Sequence, residues 1–283
     1  MKNYIKIKND TQNMTALIKE ISENIKEDCD NIIEFEKGTY NFKKEFSEKF
    51  PIYASSTKNG ENHVIFNFSD NKNITINGNG SEFVFCDRVQ PFMFTNCENI
   101  TLKNFSTDYS FLRYAYAEVI EVLDDGIHIF INNNIFDYYV NDDSLCFVCG
   151  EEILSTATRK ISIKRLYPEK SGVVFLYAGY TLTDFNGAAP NIFCNVEKTE
   201  QGVFLKYSSG TQKFDFKPGD IICLAYDNDR EAQMFFFENS KNIVLENVSV
   251  YRNGGMVFVA DLCEDILIDN LKIQIKEIEH RNV

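Results

Sequence analysis

Charged and aromatic residues stand at the same distance after four similar stretches of the chain. Eight positions after the isoleucine of each stretch, Ile74, Ile100, Ile243 and Ile266, come Glu82, Asp108, Tyr251 and Gln274, and the next positions hold Phe83, Tyr109, Arg252 and Ile275. If the stretches stack, residues at equal distances form columns about 4.8 Å apart, as neighbouring strands do. Asp108 would then lie beside Tyr251, and Tyr109 beside Arg252. Such a patch of carboxylate, guanidinium and phenol groups is suited to the hydroxyl groups of a sugar.

Further charged residues are expected near this patch because they stand on turns next to it. Asp87 and Arg88 follow the stretch FVFC, Arg113 lies where the chain enters a long insertion, and Arg230 and Glu231 lie where it returns. Binding residues concentrate on loops that a rigid scaffold holds. The predicted substrate-binding residues are therefore Asp87, Arg88, Asp108, Tyr109, Arg113, Arg230, Glu231, Tyr251 and Arg252. The alternative is that each is an ordinary turn residue or part of a surface ion pair, which contributes little free energy.

No metal site and no cofactor are predicted. Among the eight cysteines only Cys146 and Cys149 form a C-x-x-C pair, and no second pair follows to complete a zinc site. Buried thiols in a reducing compartment are the expected state of the cysteines. His63, His128 and His280 are far apart and have no ligand spacing, so they are predicted to be surface residues or hydrogen-bonded core residues.

Two pairs of adjacent aspartates resemble the paired carboxylates of an acid–base site. They are Asp124 with Asp125 and Asp142 with Asp143, and each pair stands beside a turn signal. Aspartate favours turns because its side chain bonds to nearby backbone. Hairpin turns are therefore the preferred interpretation of both pairs.

An internal repeat determines the predicted fold. The four stretches are FSDNKNITING from Phe68, FTNCENITLKN from Phe94, FENSKNIVLEN from Phe237 and ADLCEDILIDN from Ala260. Their isoleucines are 26 residues apart in the first pair and 23 in the last, which is the size of one coil of a parallel β-helix. At each corner the predicted ladder residues are Asn73, Asn99, Asn242 and Asp265, whose side chains tolerate a turn out of the β-region. The predicted fold is an all-β, right-handed parallel β-helix; a β-sandwich is the alternative, but its strands do not repeat a corner sequence at coil spacing.

One amphipathic helix is predicted before the repeats. Apolar residues recur at helical spacing at Met14, Leu17, Ile18, Ile21 and Ile25. This helix is expected to cap the N-terminal end of the stack. The stretch NIIEFEKGTYNF then reads as an entry strand that turns at Lys37 and Gly38.

A long insertion is predicted between Ile100 and Ile243, which are 143 residues apart without a corner sequence between them. Its stretches read as strands with hairpin turns, as in AEVIEVLDDGIHIFI. A barrel-like subdomain or a small sandwich is expected. The predicted organisation is a capping helix with the first coils over 1–110, the β-rich insertion over 111–233, and further coils over 234–283 that are incomplete at the C-terminus.

Composition excludes several classes of partner. The chain of 283 residues is 44% hydrophobic, so it can build a core, and its formal net charge of −13 disfavours binding to a phosphate backbone. No run of 18 apolar residues occurs, and MKNYIKIKND has no apolar segment of a signal peptide, so a cytoplasmic protein without a membrane partner is predicted. A neutral ligand such as a sugar fits this composition better, although the absence of Trp leaves Tyr and Phe to pack against sugar rings.

A resemblance to a known family rests on five stretches in a fixed order: FEKGTYNF, NITINGNGSEFVF, RVQPFMFTNCENITLKNFSTDYSFLR, PGDIICLAYDNDREAQMFFFENSKNIVLENVSVY and GGMVFVADLCEDILIDN. The ordered set resembles the β-helical glycoside hydrolases of family 110, which are exo-acting α-1,3-galactosidases. The likeness spans nearly the whole chain, and that family has its β-rich insertion at the same place. It implies hydrolysis of a terminal α-linked galactose with inversion, by carboxylates and without a metal.

Catalytic residues are not assigned from this resemblance. In family 110 the aspartate-rich coils that carry catalysis follow the coil matching GGMVFVADLCEDILIDN, whereas this sequence ends at KEIEHRNV, so those coils are expected to be absent. Two functions stay open: an α-galactosidase-like glycoside hydrolase chain without its catalytic coils, or a non-catalytic β-helix module that binds a glycan or a partner. Self-association through an open last coil is also expected, because such a coil exposes apolar surface and unpaired backbone. A polysaccharide lyase is disfavoured because it needs cations to neutralise its substrate.

Overall fold

The computed structural model describes residues 1–9, 13–53, 60–111, 114–149, 152–156, 160–167, 174–177, 191–208, 216–225 and 232–274. The described chain is mostly β-strand, with one α-helix among the described residues, so the predicted all-β class is confirmed. The chain forms two compact units, residues 1–111 with 230–283 and residues 112–229. No helix of the described part is both long and apolar enough to span a membrane.

The elements follow one another along the chain in three groups. The first group is β1 (Lys2–Ile7), α1 (Met14–Glu23), β2 (Asp30–Phe35), β3 (Thr39–Phe42), β4 (Glu48–Ile52), β5 (Gly60–Ser69), β6 (Lys72–Phe85), β7 (Gln90–Thr95) and β8 (Glu98–Tyr109). The second is β9 (Tyr114–Leu123), β10 (Gly126–Phe130), β11 (Asp137–Asn141), β12 (Ser144–Cys149), β13 (Glu152–Ser155), β14 (Lys160–Tyr167), β15 (Val174–Tyr177), β16 (Asn191–Thr199), β17 (Gly202–Tyr207) and β18 (Ile221–Ala225). The third is β19 (Phe235–Glu238), β20 (Lys241–Val250), β21 (Phe258–Asp261) and β22 (Glu264–Ile273).

The first and third groups share two sheets. One sheet has the order β1-β2-β6-β8-β20-β22, with β3 also paired to β6, and all of its pairings are parallel. The other has the order β21-β19-β7-β5-β4, and only β4 runs antiparallel to its neighbour. β8 and β20 pair directly although the insertion separates them in sequence. The two strands that flank the insertion are therefore neighbours in one sheet.

Inward side chains of successive strands stack on one another. Ile100 lies opposite both Ile74 and Ile243, and all three are fully buried. In the other sheet the ring of Phe92 stacks between Phe66 and Phe235, with centroid distances of 4.5 and 5.0 Å. Stacked aromatic pairs add about 0.5–1.5 kcal/mol to the effect of burial. The repeated apolar positions thus form a continuous core.

The predicted corner ladder is present. Asn99 donates from Nδ2 to Asn73 Oδ1 at 2.7 Å, and Asn242 donates in the same way to Asn99 at 2.9 Å. These asparagines have φ between 56° and 59°, and Asp265 has φ of 55° at the equivalent corner. Asparagine and aspartate adopt this left-handed conformation more easily than most residues. The backbone conformation and the hydrogen bonds therefore both require the residue types that repeat in the sequence.

Two more ladders were not predicted from the sequence. One joins Asn77, Asn104, Asn247 and Asn270 through side-chain hydrogen bonds of 2.8–3.3 Å. The other joins Asp70, Asn96 and Asn239 at 2.9 and 2.7 Å. All of these residues have positive φ. Each turn of the stack is therefore fixed at three corners rather than one.

A bulge in β6 changes one predicted column. The pairing with β8 shifts between Asn77 and Ser81, so that β6 contains two extra residues. Gly78 allows this shift because a Cβ there would lie 2.4 Å from Phe105 Cβ. The prediction that Glu82 and Phe83 share the columns of Asp108 and Tyr109 is therefore wrong. Those positions are taken by Val84 and Phe85.

Helix α1 follows the predicted spacing, and Asn13 caps its first turn by accepting from Ala16 N. Met14, Ile18 and Ile21 are buried, while Ile25 lies beyond the helix end. The helix contacts β3 and β5, and β1 forms the edge of the parallel sheet next to β2. The sequence reasoning did not identify β1 as a strand.

The unit of residues 112–229 is antiparallel. The pairings of β14, β16, β17, β10, β9 and β18 return to β14, so this sheet of six strands closes on itself, while β15 adds to β14. Its core includes Val119, Ile127, Leu205 and Leu224, which are fully buried. β11, β12 and β13 form a separate antiparallel sheet. The hairpins predicted at the aspartate pairs are confirmed, because two-residue turns join β9 to β10 and β11 to β12 there.

Strand β22 pairs with β20 on one side, and its outward residues are exposed in the described structure. Leu267 is 57% exposed and Ile273 is 68% exposed. The predicted self-association through this strand stays a prediction.

Candidate functional site

The most tightly bound charged pair of the described chain joins two coils at the point where the insertion separates them in sequence. Asp108 is the penultimate residue of β8, and Arg252 follows the end of β20. Arg252 Nε lies 2.6 Å from Asp108 Oδ1, and Arg252 Nη2 lies 2.7 Å from Asp108 Oδ2. This bidentate geometry is the strongest form of the Arg–carboxylate interaction.

The strand register explains why these residues meet. Val250 pairs with Thr107, and Tyr251 N continues the parallel pattern by donating to Thr107 O at 3.0 Å. Tyr251 therefore follows Asp108 in one column, and Arg252 follows Tyr109 in the next, as predicted from the spacing. The contact itself runs diagonally, from Arg252 to Asp108, and could not be read from the columns alone.

Backbone amides complete the environment of Asp108, which is only 1% exposed. Asp108 Oδ1 also accepts from Tyr109 N at 2.9 Å and from Arg252 N at 3.3 Å. A buried carboxylate is costly unless it is both paired and hydrogen bonded, and Asp108 is both. Its oxygens are thus committed to holding the guanidinium group.

Arg252 retains hydrogen-bonding capacity. Its side chain is 29% exposed, and Nη1 makes no hydrogen bond within the described part of the chain. A guanidinium group presents its donors in a rigid plane, so fixing Nε and Nη2 also fixes the direction of Nη1. The pair can therefore present oriented donors to a ligand with neighbouring hydroxyl groups.

The two predicted tyrosines have different surroundings. Tyr109 is fully buried, its ring lies 5.8 Å from that of Phe85, and its hydroxyl donates to Val89 O at 2.9 Å. The structure places Tyr109 in the core, where it supports Asp108 through its backbone amide. Tyr251 is partly exposed next to Arg252. Of the two, Tyr251 is the one placed to contact a ligand.

The predicted turn residues Asp87 and Arg88 are half-buried after β6. Asp87 Oδ2 accepts from Lys44 N at 2.6 Å, so it stabilises the turn after β3. No hydrogen bond joins Asp87 to Asp108 or Arg252 within the described part of the chain. Three other predicted residues, Arg113, Arg230 and Glu231, lie outside the described residues.

A residue that the sequence reasoning missed is Asn253. Its Oδ1 accepts from Gly254 N at 2.9 Å, and its Nδ2 donates to Gly255 O at 2.8 Å. These bonds fix the turn that immediately follows Arg252. The Asn-Gly-Gly sequence is a turn signal that could have identified it.

The remaining reactive groups form no second site of this kind. No group of three potential metal ligands occurs within the described ranges. His63 Nδ1 lies 2.9 Å from Ser47 Oγ, His128 pairs with Glu121 at 3.0 Å, and His280 lies outside the described residues. Burial raises the pKa of Cys97 to about 11 and that of Cys194 to about 12, which keeps both thiols protonated at neutral pH.

Comparisons with known proteins connect this arrangement with carbohydrate enzymes. The chain is 26% identical over 243 residues to an α-1,3-galactosidase B of Bacteroides thetaiotaomicron, covering 84% of this chain and 37% of that protein. It is 26% identical over 279 residues to an α-1,3-galactosidase B of Phocaeicola vulgatus, covering 96% and 43%. It is 25% identical over 257 residues to an α-1,3-galactosidase A of Shewanella woodyi, covering 88% and 39%. No protein-family profile matches the chain.

These relatives confirm the resemblance to α-1,3-galactosidases that the ordered motifs indicate. The similarity extends over most of this chain. The chain spans about two fifths of the length of the curated relatives it matches, 37% to 43% of each of the first four.

Proposed function

We propose that this chain binds a galactose-containing glycan through Arg252 and Tyr251, within an α-1,3-galactosidase-like carbohydrate-active protein. The observation that carries the proposal is the bidentate ion pair between Asp108 and Arg252. It fixes a partly exposed guanidinium group on a parallel sheet, and sugar hydroxyls accept readily from such a group. The names of the relatives indicate the class of ligand.

The scaffold that we propose for this site is a right-handed parallel β-helix with an inserted barrel. From β5 to β8 and from β19 to β22, successive strands alternate between the two sheets of the first unit. The repeat of 26 and 23 residues between corner isoleucines matches one coil. Right-handed crossover is expected because parallel strands are almost always connected with that hand. The closed antiparallel pairing of the inserted unit supports a barrel.

Asp108 is a positioning residue in this proposal. Inverting hydrolysis needs a general acid and a general base roughly 6.5–9.5 Å apart. Both oxygens of Asp108 are bonded to Arg252, so this carboxylate is not available to transfer a proton. Hydrolysis of an α-1,3-linked galactoside therefore requires two other carboxylates, and Asp108 would act through the orientation of Arg252.

The test is calorimetric titration of the purified chain with galactose and with an α-1,3-linked galactobiose. We expect the Arg252→Lys variant to bind at least about tenfold more weakly, because lysine keeps the charge but loses the planar donors. Lys241→Met is the matched control, since it removes an exposed cation of the same strand and should leave affinity unchanged. Equal affinity of Arg252→Lys and wild type, or no binding by wild type, would overturn the proposal.

The alternative is a glycan-binding module without turnover. Release of galactose from the same disaccharide, followed by chromatography, separates the two functions. Turnover that survives Asp108→Asn would place hydrolysis on other carboxylates. Binding without turnover would favour the module.

A further inference from the structure

A cavity of about 270 Å³ lies between α1, β4 and β5, and none of its lining residues belongs to the site of Asp108 and Arg252. The residues that matter for its chemistry are Lys19 of the helix, Glu48 and Phe50 of β4, and Asn67, Ser69 and Asn71 of β5 and the turn that follows. The volume lies just below the usual range of pockets for drug-sized ligands, about 300–1,000 Å³. It has room for one monosaccharide rather than an oligosaccharide.

Asn67 supplies the most specific feature of this cavity. Its Oδ1 is fully buried and has no hydrogen-bond partner in the described part of the chain. Its strand position is fixed, because Asn67 pairs with Met93 in the middle of a parallel sheet. Buried acceptors are nearly always satisfied, so an unsatisfied one favours a ligand that brings a donor. A sugar hydroxyl is such a donor.

An ion pair crosses the cavity rim from helix to strand. Lys19 Nζ contacts Glu48 Oε1, and Glu23 Oε1 lies 3.9 Å from the same nitrogen. The hydrogen bond from Glu48 raises the pKa of Lys19, so the ammonium group stays charged at neutral pH. The lining therefore carries one cation and two carboxylates, which disfavours an anionic ligand. Because Lys19 and Glu48 neutralise each other, a neutral ligand with several hydroxyl groups is favoured over a charged one.

The opposite side of the cavity is apolar. Phe50 is partly exposed there, and Val64 and Ile65 are buried at the base. A few polar groups around an apolar wall are typical of small-molecule sites. The C–H face of a pyranose ring can pack on the ring of Phe50 while its hydroxyls reach the polar rim.

We propose that this cavity is a second sugar-binding site, in which Asn67 accepts from a hydroxyl, the Lys19–Glu48 pair donates and accepts, and Phe50 packs against the ring. The ligand is one neutral hexose unit of a glycan. This site goes beyond the proposed function at Arg252 and does not depend on it. A protein with both sites would hold a glycan at two separate points, which increases affinity when the spacing matches.

The experiment uses the full chain carrying Arg252→Lys, which weakens the first site, and measures binding of galactose, glucose and N-acetylgalactosamine by saturation-transfer NMR and calorimetry. We expect at least one of the three hexoses to bind this chain. Adding Asn67→Leu should weaken that binding at least about tenfold, because it removes the acceptor and fills the cavity. Adding Glu48→Gln should also weaken it without affecting the fold, since Glu48 is exposed. Lys49→Ala, an exposed neighbour on β4 that does not line the cavity, is the control that should change nothing.

The outcomes separate the two sites. Absence of hexose binding to the Arg252→Lys chain at millimolar concentration, or binding that survives both Asn67→Leu and Glu48→Gln, would overturn the second site. Failure of the first site shows differently, as wild-type affinity that Arg252→Lys leaves unchanged. Chemical-shift changes confined to α1, β4 and β5 on addition of the hexose would support the assignment.

Discussion

The stack of parallel strands and the inserted antiparallel unit bury similar apolar side chains, but different contacts set their registers. In the stack the same residue types recur in each coil, as in Asn73, Asn99 and Asn242 at one corner. In the insertion each hairpin is fixed by its own turn, such as the turn of Asp142 and Asp143, both with positive φ. The stack is thus specified by repetition and the insertion by local turns.

This difference explains how the stack accommodates so long an interruption. Each coil contacts only the coils before and after it, so a loop between two coils can be of any length provided that its ends return to adjacent positions. β8 and β20 meet this condition, since their register continues from Glu98 paired with Lys241 to Thr107 paired with Val250. The ion pair of Asp108 and Arg252 lies immediately beyond the end of this register.

The largest expected effect distinguishes the two cores. Phe92→Ala should lower the free energy of unfolding by about 3–5 kcal/mol, because it empties a fully buried position between Phe66 and Phe235. Native-state amide hydrogen exchange should then rise in the stack and remain low in β17. Leu205→Ala, in the core of the inserted unit, should lower stability by about 2–5 kcal/mol and show the opposite pattern. Equal loss of protection in both units from either substitution would show that they unfold as one.

The sequence predicted the stack better than the insertion for the same reason. The corner residues and the inward isoleucines repeat, so four weak local signals supported one another and predicted the register of Asp108 with Tyr251. The bulge at Gly78 does not repeat, and it displaced Glu82 from the predicted column. Strand β1 was missed because KNYIKI has no counterpart in the other coils.

The candidate site shows the same limit. The spacing placed Asp108 and Arg252 on adjacent coils, since columns follow from the repeat. The direction of each side chain depends on packing, so the burial of Tyr109 and the diagonal contact of Arg252 could not be predicted. The cavity beside α1 depends on how a helix outside the repeat lies against β5, and no periodic signal reports that.

A smaller effect should appear at alkaline pH in both units. Burial raises the pKa of Cys97 in the stack to about 11 and that of Cys194 in the insertion to about 12, from an ordinary value of 9.0. The protonated thiol is favoured in the folded state, so this contribution is complete below pH 9 and is lost as pH rises toward the folded pKa. Relative to pH 8, each thiol should reduce the free energy of unfolding by about 2 kcal/mol at pH 10.5.

Alanine variants isolate this loss from other titrations. Cys97→Ala and Cys194→Ala should each show a shallower decline of stability between pH 9 and 10.5 than wild type, in chemical denaturation at fixed ionic strength. The decline due to Cys97 should level off near pH 11, whereas that due to Cys194 should continue. An unchanged slope in either variant would mean that its thiol ionises as easily in the folded state as in the unfolded state.

The smallest expected effect compares a ladder with a turn. Asn242→Ala should lower the free energy of unfolding by about 1–2 kcal/mol, because alanine is strained at a φ of 56° and cannot bond to Asn99. Asn242→Gly relieves the strain and should recover part of that loss, which leaves the contribution of the hydrogen bond. Asp142→Gly, at a φ of 44° in the insertion, should change stability by less than about 0.5 kcal/mol, because glycine suits a two-residue hairpin turn. If Asn242→Gly were as mild as Asp142→Gly, the conformation of the corner and not the ladder of side-chain bonds would set the register of the stack.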